Sequence, residues 1–303
     1  MIHNPTQFVV CDFDGTLFDT AQRTGTTVNV EDAYVFALEQ IFGEGRGQQI
    51  YTAVGGLLSR APSEFVRDIL IMQPDLLART SHNGDNAEHD ITEALIRIKS
   101  EALLANIRRL PDGTMWPPPT NGADDFMRWI GEQDHLAFGI ISSGHTPFIE
   151  KAFEVAALPP PDITITEDEI RGKRFPQEME RRVKPGTFPF ALAHRWWLQQ
   201  QGVWPDSCSF ARKSKKNIVY FGNHEKDAGM ARCSGVVFGH HRLPASEDLL
   251  LNDAGFSFDD WRRVVKALGE AESELRDGYP IGEILCASSF STVEGVPMHA
   301  VEF

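Results

Sequence analysis

Short runs of apolar residues recur along the chain, and stretches with helical spacing of apolar residues separate most of them. Runs of this length that are apolar throughout are typical of parallel strands buried on both faces. The predicted strands are 7–11, 136–141, 163–166, 217–222 and 235–239, and the predicted helices beside them are 123–133, 146–158, 188–201, 225–234 and 257–272. This alternation predicts an α/β fold with a doubly wound parallel sheet.

The segment 20–110 has a different pattern, because it carries helical spacing without predicted strands. Its predicted helices are 30–43 (with Asn29 and Asp32 as a capping box), 63–72 and 91–110. The polar stretch 79–90 predicts a surface loop, and the Pro- and Gly-rich stretch 111–122 predicts a connector. We therefore predict a core domain of residues 1–19 and 111–303, with an inserted α-helical domain of residues 20–110.

Charge and composition narrow the class of protein. The chain has 303 residues, with 43 acidic and 29 basic side chains and a formal net charge of −14 at pH 7. This charge disfavours nucleic acid or a membrane surface as a partner, since both would repel it at long range. No apolar run approaches the about 20 residues of a membrane span, and residues 1–10 do not resemble a secretory signal. The four scattered cysteines favour reduced thiols and a cytoplasmic location.

Polar side chains follow three of the predicted strands directly. Asp12 and Asp14 follow the first strand, Ser142 follows the second, and Asn223 follows the fourth. The carboxyl ends of parallel strands lie at one edge of a sheet, where ligands of such folds bind. Carboxylates suit Mg²⁺ and can attack phosphorus, whereas a hydroxyl and an amine such as Lys184 suit phosphoryl oxygens. The sequence therefore predicts a phosphoryl-transfer site that uses Mg²⁺.

Four features over residues 6–268 resemble, in order, the four motifs of the haloacid dehalogenase (HAD) superfamily: Asp12-x-Asp14-Gly15-Thr16, Ser142, Lys184-Pro185 and Gly222 to Asp227. The resemblance implies that Asp12 is the nucleophile and also binds Mg²⁺. It implies that Asp14 is the general acid/base and binds Mg²⁺ through its backbone carbonyl. Ser142 and Lys184 would bind the phosphoryl group.

The fourth motif departs from the family pattern. The family has an acid directly after the glycine, whereas here Asn223 follows Gly222. An amide oxygen can coordinate Mg²⁺ but carries no charge, so we expect Asp227 or Glu225 to compensate. The ligands expected for Mg²⁺ are then Asp12, Asp14, Asn223 and Asp227.

Other residues are candidates for contacting the substrate. Ser143 and Gly144 can offer backbone N–H groups at the start of the next helix. In the inserted domain, Arg23, Arg60 and Arg67 carry guanidinium groups that suit a carboxylate or phosphate, although each taken alone fits a surface charge better.

The acid at position 14 favours phosphate-ester chemistry within the superfamily. The helical insertion resembles the C1-type cap of the phosphoglycolate phosphatase and β-phosphoglucomutase branch. The resemblance implies a Mg²⁺-dependent phosphatase that hydrolyses a small phosphorylated metabolite through an aspartyl-phosphate. A phosphomutase or phosphotransferase acting on sugar phosphates is an alternative, and Asn223 motivates a second one, a non-catalytic HAD-fold binding protein. Both a monomer and a homodimer remain open.

Three further features have no assigned catalytic role. Trp196 and Trp197 fall in an amphipathic helix and fit a core or a subunit contact. His240 and His241 lack the spacing of metal ligands and are predicted to be loop residues. Residues 284–303 suggest either a hairpin added to the sheet or a dimer contact.

Overall fold

The structure is a computed structural model that describes residues 5–23, 28–56, 62–79, 86–171, 183–203, 214–242 and 254–288. The chain divides into two compact units. The first, which we name the α/β unit, comprises Met1–Asp19, Pro119–Thr146 and Ala157–Phe303; the second, the helical unit, comprises Thr20–Pro118 and Pro147–Ala156. None of the described helices combines the length and apolarity that a bilayer crossing requires.

The described strands of the α/β unit form a six-stranded sheet. These strands are β1 Gln7–Cys11, β4 Leu136–Ile141, β5 Ile163–Ile165, β6 Ile218–Gly222, β7 Val237–His241 and β8 Phe256–Phe258. Their order is β5-β4-β1-β6-β7-β8, and every adjacent pair is parallel. In the helical unit, β2 Arg108–Arg109 pairs with β3 Met115–Trp116 in an antiparallel ribbon. The predicted α/β fold with a parallel sheet is confirmed.

The α-helices are α1 Val30–Phe42, α2 Gly47–Ala53, α3 Pro62–Met72, α4 Ala87–Asn106, α5 Ala123–Gly131, α6 Thr146–Ala156, α7 Glu167–Arg171, α8 Phe188–Gln200, α9 Glu225–Ser234, α10 Trp261–Glu270, α11 Glu272–Arg276 and α12 Ile281–Ala287. Short 3₁₀ helices lie at Pro74–Arg79 and Lys215–Asn217. The strand Leu136–Ile141 and the helix Glu225–Ser234 have the predicted bounds.

The sheet is buried on both faces, and its central strands are therefore apolar throughout. Phe8 and Val10 belong to a core cluster with residues of α8 and α9. On the opposite face, Phe126 of α5 packs edge-on against Phe138 and Phe221. Because side chains alternate along a strand, each central strand contributes to both layers.

The register of β1 decides which side chains meet at the carboxyl edge of the sheet. Cys11, the last residue of β1, pairs with Ile140 of β4 and with Phe221 of β6. The residues that follow these three positions therefore leave the sheet at the same edge. Asp12 and Ser142 are among them.

In the helical unit, α1 begins with the predicted capping box. The Asn29 side chain accepts a hydrogen bond from the Asp32 N–H at 2.8 Å, and the Asp32 carboxylate accepts one from the Asn29 N–H at 3.4 Å. Tyr34, Phe65 and Ile91 belong to the apolar interior that α1, α3 and α4 share. Burial of this interior stabilises the unit.

The long helix predicted at 91–110 runs instead from Ala87 to Asn106. Its apolar stripe extends back to the buried Ala87, and its end is displaced because Arg108–Arg109 form β2. The loop was predicted at 79–90, but residues 87–90 belong to α4, so the predicted loop is too long at its C-terminal end. Residues 80–85 of it lie outside the described residues.

The C-terminal part contains more elements than predicted. The helix predicted at 257–272 begins only at Trp261, after its cap Asp260, and Phe256–Phe258 form β8. Two short helices, α11 and α12, follow it. Of the residues for which a hairpin was one prediction, the structure describes 284–288. Residues 284–287 belong to α12, so the hairpin prediction is wrong for them.

The loop predicted at His240 and His241 is also wrong, because both residues belong to β7 and are buried. His240 pairs with Gly222 of β6 and with Ser257 of β8. The strand predicted at 235–239 therefore lies two residues further along the chain. By contrast, Trp197 is buried in the core, as predicted.

Candidate active site

The turn after β1 holds the two aspartates of the first motif. The Asp12 N–H donates to the Phe221 carbonyl at 2.8 Å, which continues the β1–β6 pairing by one residue. The Asp12 side chain is buried, whereas Asp14 is half-buried. Gly15 has a φ of 71°, a left-handed conformation that glycine adopts without strain. The backbone thus turns away directly after the two carboxylates.

Lys184 joins two buried carboxylates. Its Nζ donates to Asp12 Oδ1 at 2.5 Å and to Asp227 Oδ1 at 2.7 Å. Lys184 is itself only 8% exposed. The structure therefore brings together three of the predicted site residues, although 43 positions separate Lys184 from Asp227 and 172 separate it from Asp12.

Asp227 is fixed by the turn that connects β6 to α9. It accepts from the Tyr220 hydroxyl at 3.0 Å through Oδ1 and from the His224 N–H at 3.2 Å through Oδ2. The second bond is half of a capping box, in which the His224 ring accepts from the Lys226 N–H. A Cβ at Gly222 would lie 2.5 Å from the Asp227 Cβ, so this position requires glycine. The carboxylate of Asp227 has little freedom to move.

Burial dominates the electrostatics of the cluster. It raises the pKa of Asp12 to about 8; Lys184 opposes this rise, while Asp227 and Asp14 add to it. Burial alone lowers the pKa of the Lys184 amine, but the Asp12 and Asp227 carboxylates outweigh it and raise that pKa above its usual value. Burial also raises the pKa of the Tyr220 hydroxyl, which therefore stays protonated and donates to Asp227. Ionising Asp12 in this buried cluster is therefore costly unless further positive charge lies beside it.

Ser142 lies on the other side of β1. Its hydroxyl is 3.4 Å from Asp14 Oδ2 and accepts from the Gly144 N–H at 3.0 Å. The Ser142 side chain is buried, whereas Ser143 is exposed. The N–H of Gly144 that was expected to bind a phosphoryl group thus contacts Ser142.

The residues expected to bind Mg²⁺ have suitable donor atoms. Asn223 Oδ1 accepts from the Thr16 hydroxyl at 3.3 Å, and an amide oxygen has a second lone pair for a cation. Lys184 supplies one positive charge against the carboxylates of Asp12, Asp14 and Asp227, and a divalent cation would offset the remainder. The donor set therefore fits Mg²⁺.

Asp227 and Glu225 are the two acids expected to compensate for the uncharged Asn223. The Asp227 carboxylate contacts Lys184, and the Glu225 side chain is exposed. Across the described ranges, no three His, Cys, Asp or Glu side chains are grouped so as to hold a metal ion. A site made from one carboxylate, one backbone carbonyl and one amide would not be such a group.

The sequence did not identify Tyr220, His241 and Trp261, which contact the site residues or the turn that carries them. His241 Nδ1 lies 3.1 Å from the Gly15 carbonyl, and Trp261 Nε1 donates to the Thr16 carbonyl at 3.0 Å. One signal was available for Tyr220, which is a polar group in an apolar strand next to the fourth motif. The other two lie far along the chain from residue 15 and gave no sequence signal.

Two of the three candidate arginines of the helical unit contact acids of the same unit. Arg23 Nη2 lies 2.7 Å from Asp32 Oδ1, and Arg67 Nε lies 3.2 Å from Glu88 Oε1. Arg60 lies outside the described residues. A substrate contact by Arg23, Arg60 or Arg67 stays a prediction.

Comparison with known proteins gives matches among solved structures, whereas no protein-family model and no curated protein matches the chain. A predicted phosphoglycolate phosphatase from Haemophilus somnus 129PT is 12% identical, with a TM-score of 0.54 over 86% of this chain and 96% of its own. CbbY from Rhodobacter sphaeroides in complex with phosphate is 14% identical, with a TM-score of 0.50 over 85% and 96%. A CbbY mutant in complex with xylulose-(1,5)bisphosphate is also 14% identical, with a TM-score of 0.50 over 84% and 94%.

Identities this low show the fold alone. Over most of its length, the chain shares its α/β fold with these structures. The chain therefore has the fold of the HAD-superfamily hydrolases, the family that its four motifs resemble.

Proposed function

We propose that the protein is a Mg²⁺-dependent phosphatase that hydrolyses a small-molecule phosphomonoester through an aspartyl-phosphate on Asp12. The main support is the contact of Lys184 with Asp12 at 2.5 Å and with Asp227 at 2.7 Å. An amine fixed beside a buried carboxylate can bind phosphoryl oxygens next to that carboxylate. Attack on phosphorus requires this arrangement, because two anions must otherwise approach each other.

In the first step, a carboxylate oxygen of Asp12 forms a bond to phosphorus, and the bond from phosphorus to the ester oxygen breaks. Asp14 in its acid form gives its proton to the departing oxygen, which leaves as an alcohol. Lys184 and Ser142 donate hydrogen bonds to the phosphoryl oxygens, where negative charge must be stabilised. The Ser142 hydroxyl lies 3.4 Å from Asp14 Oδ2, which supports a role for both side chains at the same phosphoryl group.

In the second step, Asp14 takes a proton from water while the water oxygen bonds to phosphorus. The bond from phosphorus to Asp12 breaks, inorganic phosphate leaves, and the Asp12 carboxylate is regenerated. Asp14 therefore returns to its acid form, and the site is ready for the next ester.

The Asp12 carboxylate, the Asp14 carbonyl and the Asn223 amide oxygen would hold Mg²⁺. When bound, Mg²⁺ supplies positive charge that offsets the repulsion between the nucleophile and the phosphate. We assign Asp227 to positioning Lys184, because both of its oxygens accept hydrogen bonds from the protein. Asn223 carries no charge, so we expect Mg²⁺ binding to be weaker than with an acid at this position.

The helical unit, in our proposal, is the cap that the resemblance implies, and it selects the substrate. The CbbY structures contain phosphate or xylulose-(1,5)bisphosphate, which supports a small phosphorylated metabolite as the class of substrate. A cap that closes also excludes bulk water from the phosphoryl step.

The proposal is tested by measuring inorganic phosphate released from a panel of phosphomonoesters with and without Mg²⁺. We expect Mg²⁺-dependent release that Asp12→Asn lowers on the order of 10³-fold or more, because the nucleophile is lost. Asp277→Asn removes an exposed carboxylate of the same unit and serves as the control that keeps wild-type release.

Each other outcome overturns the proposal in a specific way. An isomerised sugar phosphate without free phosphate would show a phosphomutase. If wild type and Asp12→Asn are equally inert across the panel, the protein is a non-catalytic member of the fold.

A further inference from the structure

Two consecutive carbonyls of the turn after β1 accept hydrogen bonds from distant parts of the chain. We name residues 12–18 the nucleophile turn. The Gly15 carbonyl lies 3.1 Å from His241 Nδ1. The Thr16 carbonyl accepts from Trp261 Nε1 at 3.0 Å and from the Thr120 hydroxyl at 2.6 Å. Side chains from three separate parts of the chain therefore hold the backbone directly after Asp14.

The donors have little room to move. Trp261 is the first residue of α10 and is fully buried, and its ring stacks on Phe126 with centroids 4.2 Å apart. His241 is the last residue of β7 and is 2% exposed, with its ring 5.9 Å from the Trp261 ring. Packed aromatic rings in a dense interior cannot shift without moving their neighbours.

The histidine donates because its partner is a carbonyl, which can only accept. Nδ1 therefore carries the proton, and burial lowers the pKa of His241 to about 4, so the ring is neutral near pH 7. The indole N–H is a donor under all conditions. The contacts to the nucleophile turn are thus stable at neutral pH.

We propose that Trp261 and His241 are positioning residues, which hold the nucleophile turn so that Asp12 and Asp14 are aligned with the phosphoryl group. The effect on catalysis rests on the proposed function, whereas the hold on the turn does not. Thr16 is fully buried, so its carbonyl depends on protein donors and would be left without a partner if both were lost.

The chain offers a matched pair of tryptophans to test this. Trp261→Phe keeps an aromatic ring against Phe126 but removes the N–H. Trp197→Phe removes the same atoms at another buried site, where the indole nitrogen has no hydrogen-bond partner in the described structure. We expect kcat to fall by about fivefold in Trp261→Phe, as for one neutral hydrogen bond, with KM nearly unchanged. Trp197→Phe is expected to leave kcat unchanged.

Thr120→Val removes the second donor to the same carbonyl at nearly constant shape. Alone it should also lower kcat by about fivefold. The double variant Trp261→Phe/Thr120→Val should fall by about 100-fold, beyond the product of the two, because the buried carbonyl then has neither donor. A double variant that equals the product of the single effects would show that the two donors do not share one role.

Amide hydrogen exchange measures the hold on the turn without any substrate. We expect faster exchange of residues 12–18 in Trp261→Phe and in His241→Phe than in wild type, with exchange of α8 unchanged. If the wild-type protein releases no phosphate but the variants still exchange faster, the anchoring of the turn is supported and the proposed phosphatase activity is refuted. Unchanged exchange, or equal losses of kcat in Trp261→Phe and Trp197→Phe, would overturn the positioning role.

Discussion

The carboxyl edge of the α/β unit and the interior of the helical unit are both buried, but they are built from opposite kinds of side chain. Asp12, Lys184 and Asp227 are 7%, 8% and 2% exposed and are ionisable groups, and Lys184 contacts both carboxyl groups. Phe65 and Ile91 are fully buried in the helical unit, in an apolar cluster. Burying charge is costly even when the charges are paired, whereas burying apolar area stabilises the fold.

The two regions should therefore tolerate different substitutions. An apolar cluster tolerates changes that preserve volume and is sensitive to cavities. A buried charged cluster instead depends on every member, because removing one leaves the others without compensation. The carboxyl edge should therefore be sensitive to the loss of any one of these side chains.

The largest expected effect comes from Lys184→Met. It removes the amine that contacts Asp12 and Asp227, so we expect phosphate release to fall on the order of 10³-fold. The free energy of unfolding should also fall by about 3–5 kcal/mol, because a buried ion pair is broken. Urea denaturation and a phosphate assay measure the two effects. Lys266→Met, at a side chain 76% exposed, is the control. A Lys184→Met protein as stable as wild type would contradict the buried contacts.

In the helical unit, Phe65→Ala should reduce the free energy of unfolding by about 3–5 kcal/mol through the cavity that it leaves. Phe36 lies on α1 of the same unit and is 45% exposed, so Phe36→Ala should cost clearly less. Urea denaturation of both variants makes the comparison. Equal losses would mean that Phe65 is not part of an apolar interior.

Acid should weaken the α/β unit through buried histidines. Burial lowers the pKa of His194 to about 4 and that of His241 to about 4. Unfolding restores a pKa of about 6.5, so the unfolded state binds more protons between pH 6.5 and 4. Stability is thus complete above pH 6.5 and falls with pH, by about 2 kcal/mol for each histidine at pH 5.

Denaturation of His194→Gln at pH 7 and pH 5 checks this, because the variant should lose less stability than wild type on acidification. His89→Gln changes an exposed histidine of the helical unit and should leave the acid response as in wild type. Identical pH dependence in wild type and His194→Gln would rule out the buried neutral ring as a cause.

The smallest effect concerns Asn223. Asn223→Asp restores a charged oxygen and should tighten Mg²⁺ binding by about tenfold, which calorimetric titration measures. Asn217→Asp adds the same charge at the opposite end of β6, where the Asn217 side chain contacts the Thr6 carbonyl, and should not change Mg²⁺ affinity. Weaker binding in Asn223→Asp would refute direct ligation by residue 223.

The sequence predicted the order of the central elements well, because long apolar strands and capped helices have strong local signals. The capping box at Asn29 and the bounds of Leu136–Ile141 are examples. β8 was missed since Phe256–Phe258 is short and is interrupted by a buried serine. His241 was predicted to lie in a loop, but it ends β7, and its ring contacts the carbonyl of Gly15, a contact that the sequence does not indicate.

The sequence predicted where the candidate site lies, but it did not predict the side-chain contacts within the site. Parallel strands place Asp12, Ser142 and Asn223 at one edge, so their proximity followed from topology. That Asp227 contacts Lys184 depends on side-chain geometry in the β6–α9 turn. Pairwise geometry of this kind has no signature in a single sequence.

Asp227 has two tasks that cannot be separated. One oxygen starts the helix α9 by accepting the His224 N–H, and the other contacts Lys184. An engineer who redesigns this turn for thermal tolerance, or replaces Asp227 with another helix-starting residue, therefore also alters the electrostatics around Asp12. Recombining the β6–α9 segment with that of another protein would carry part of the reaction chemistry with it.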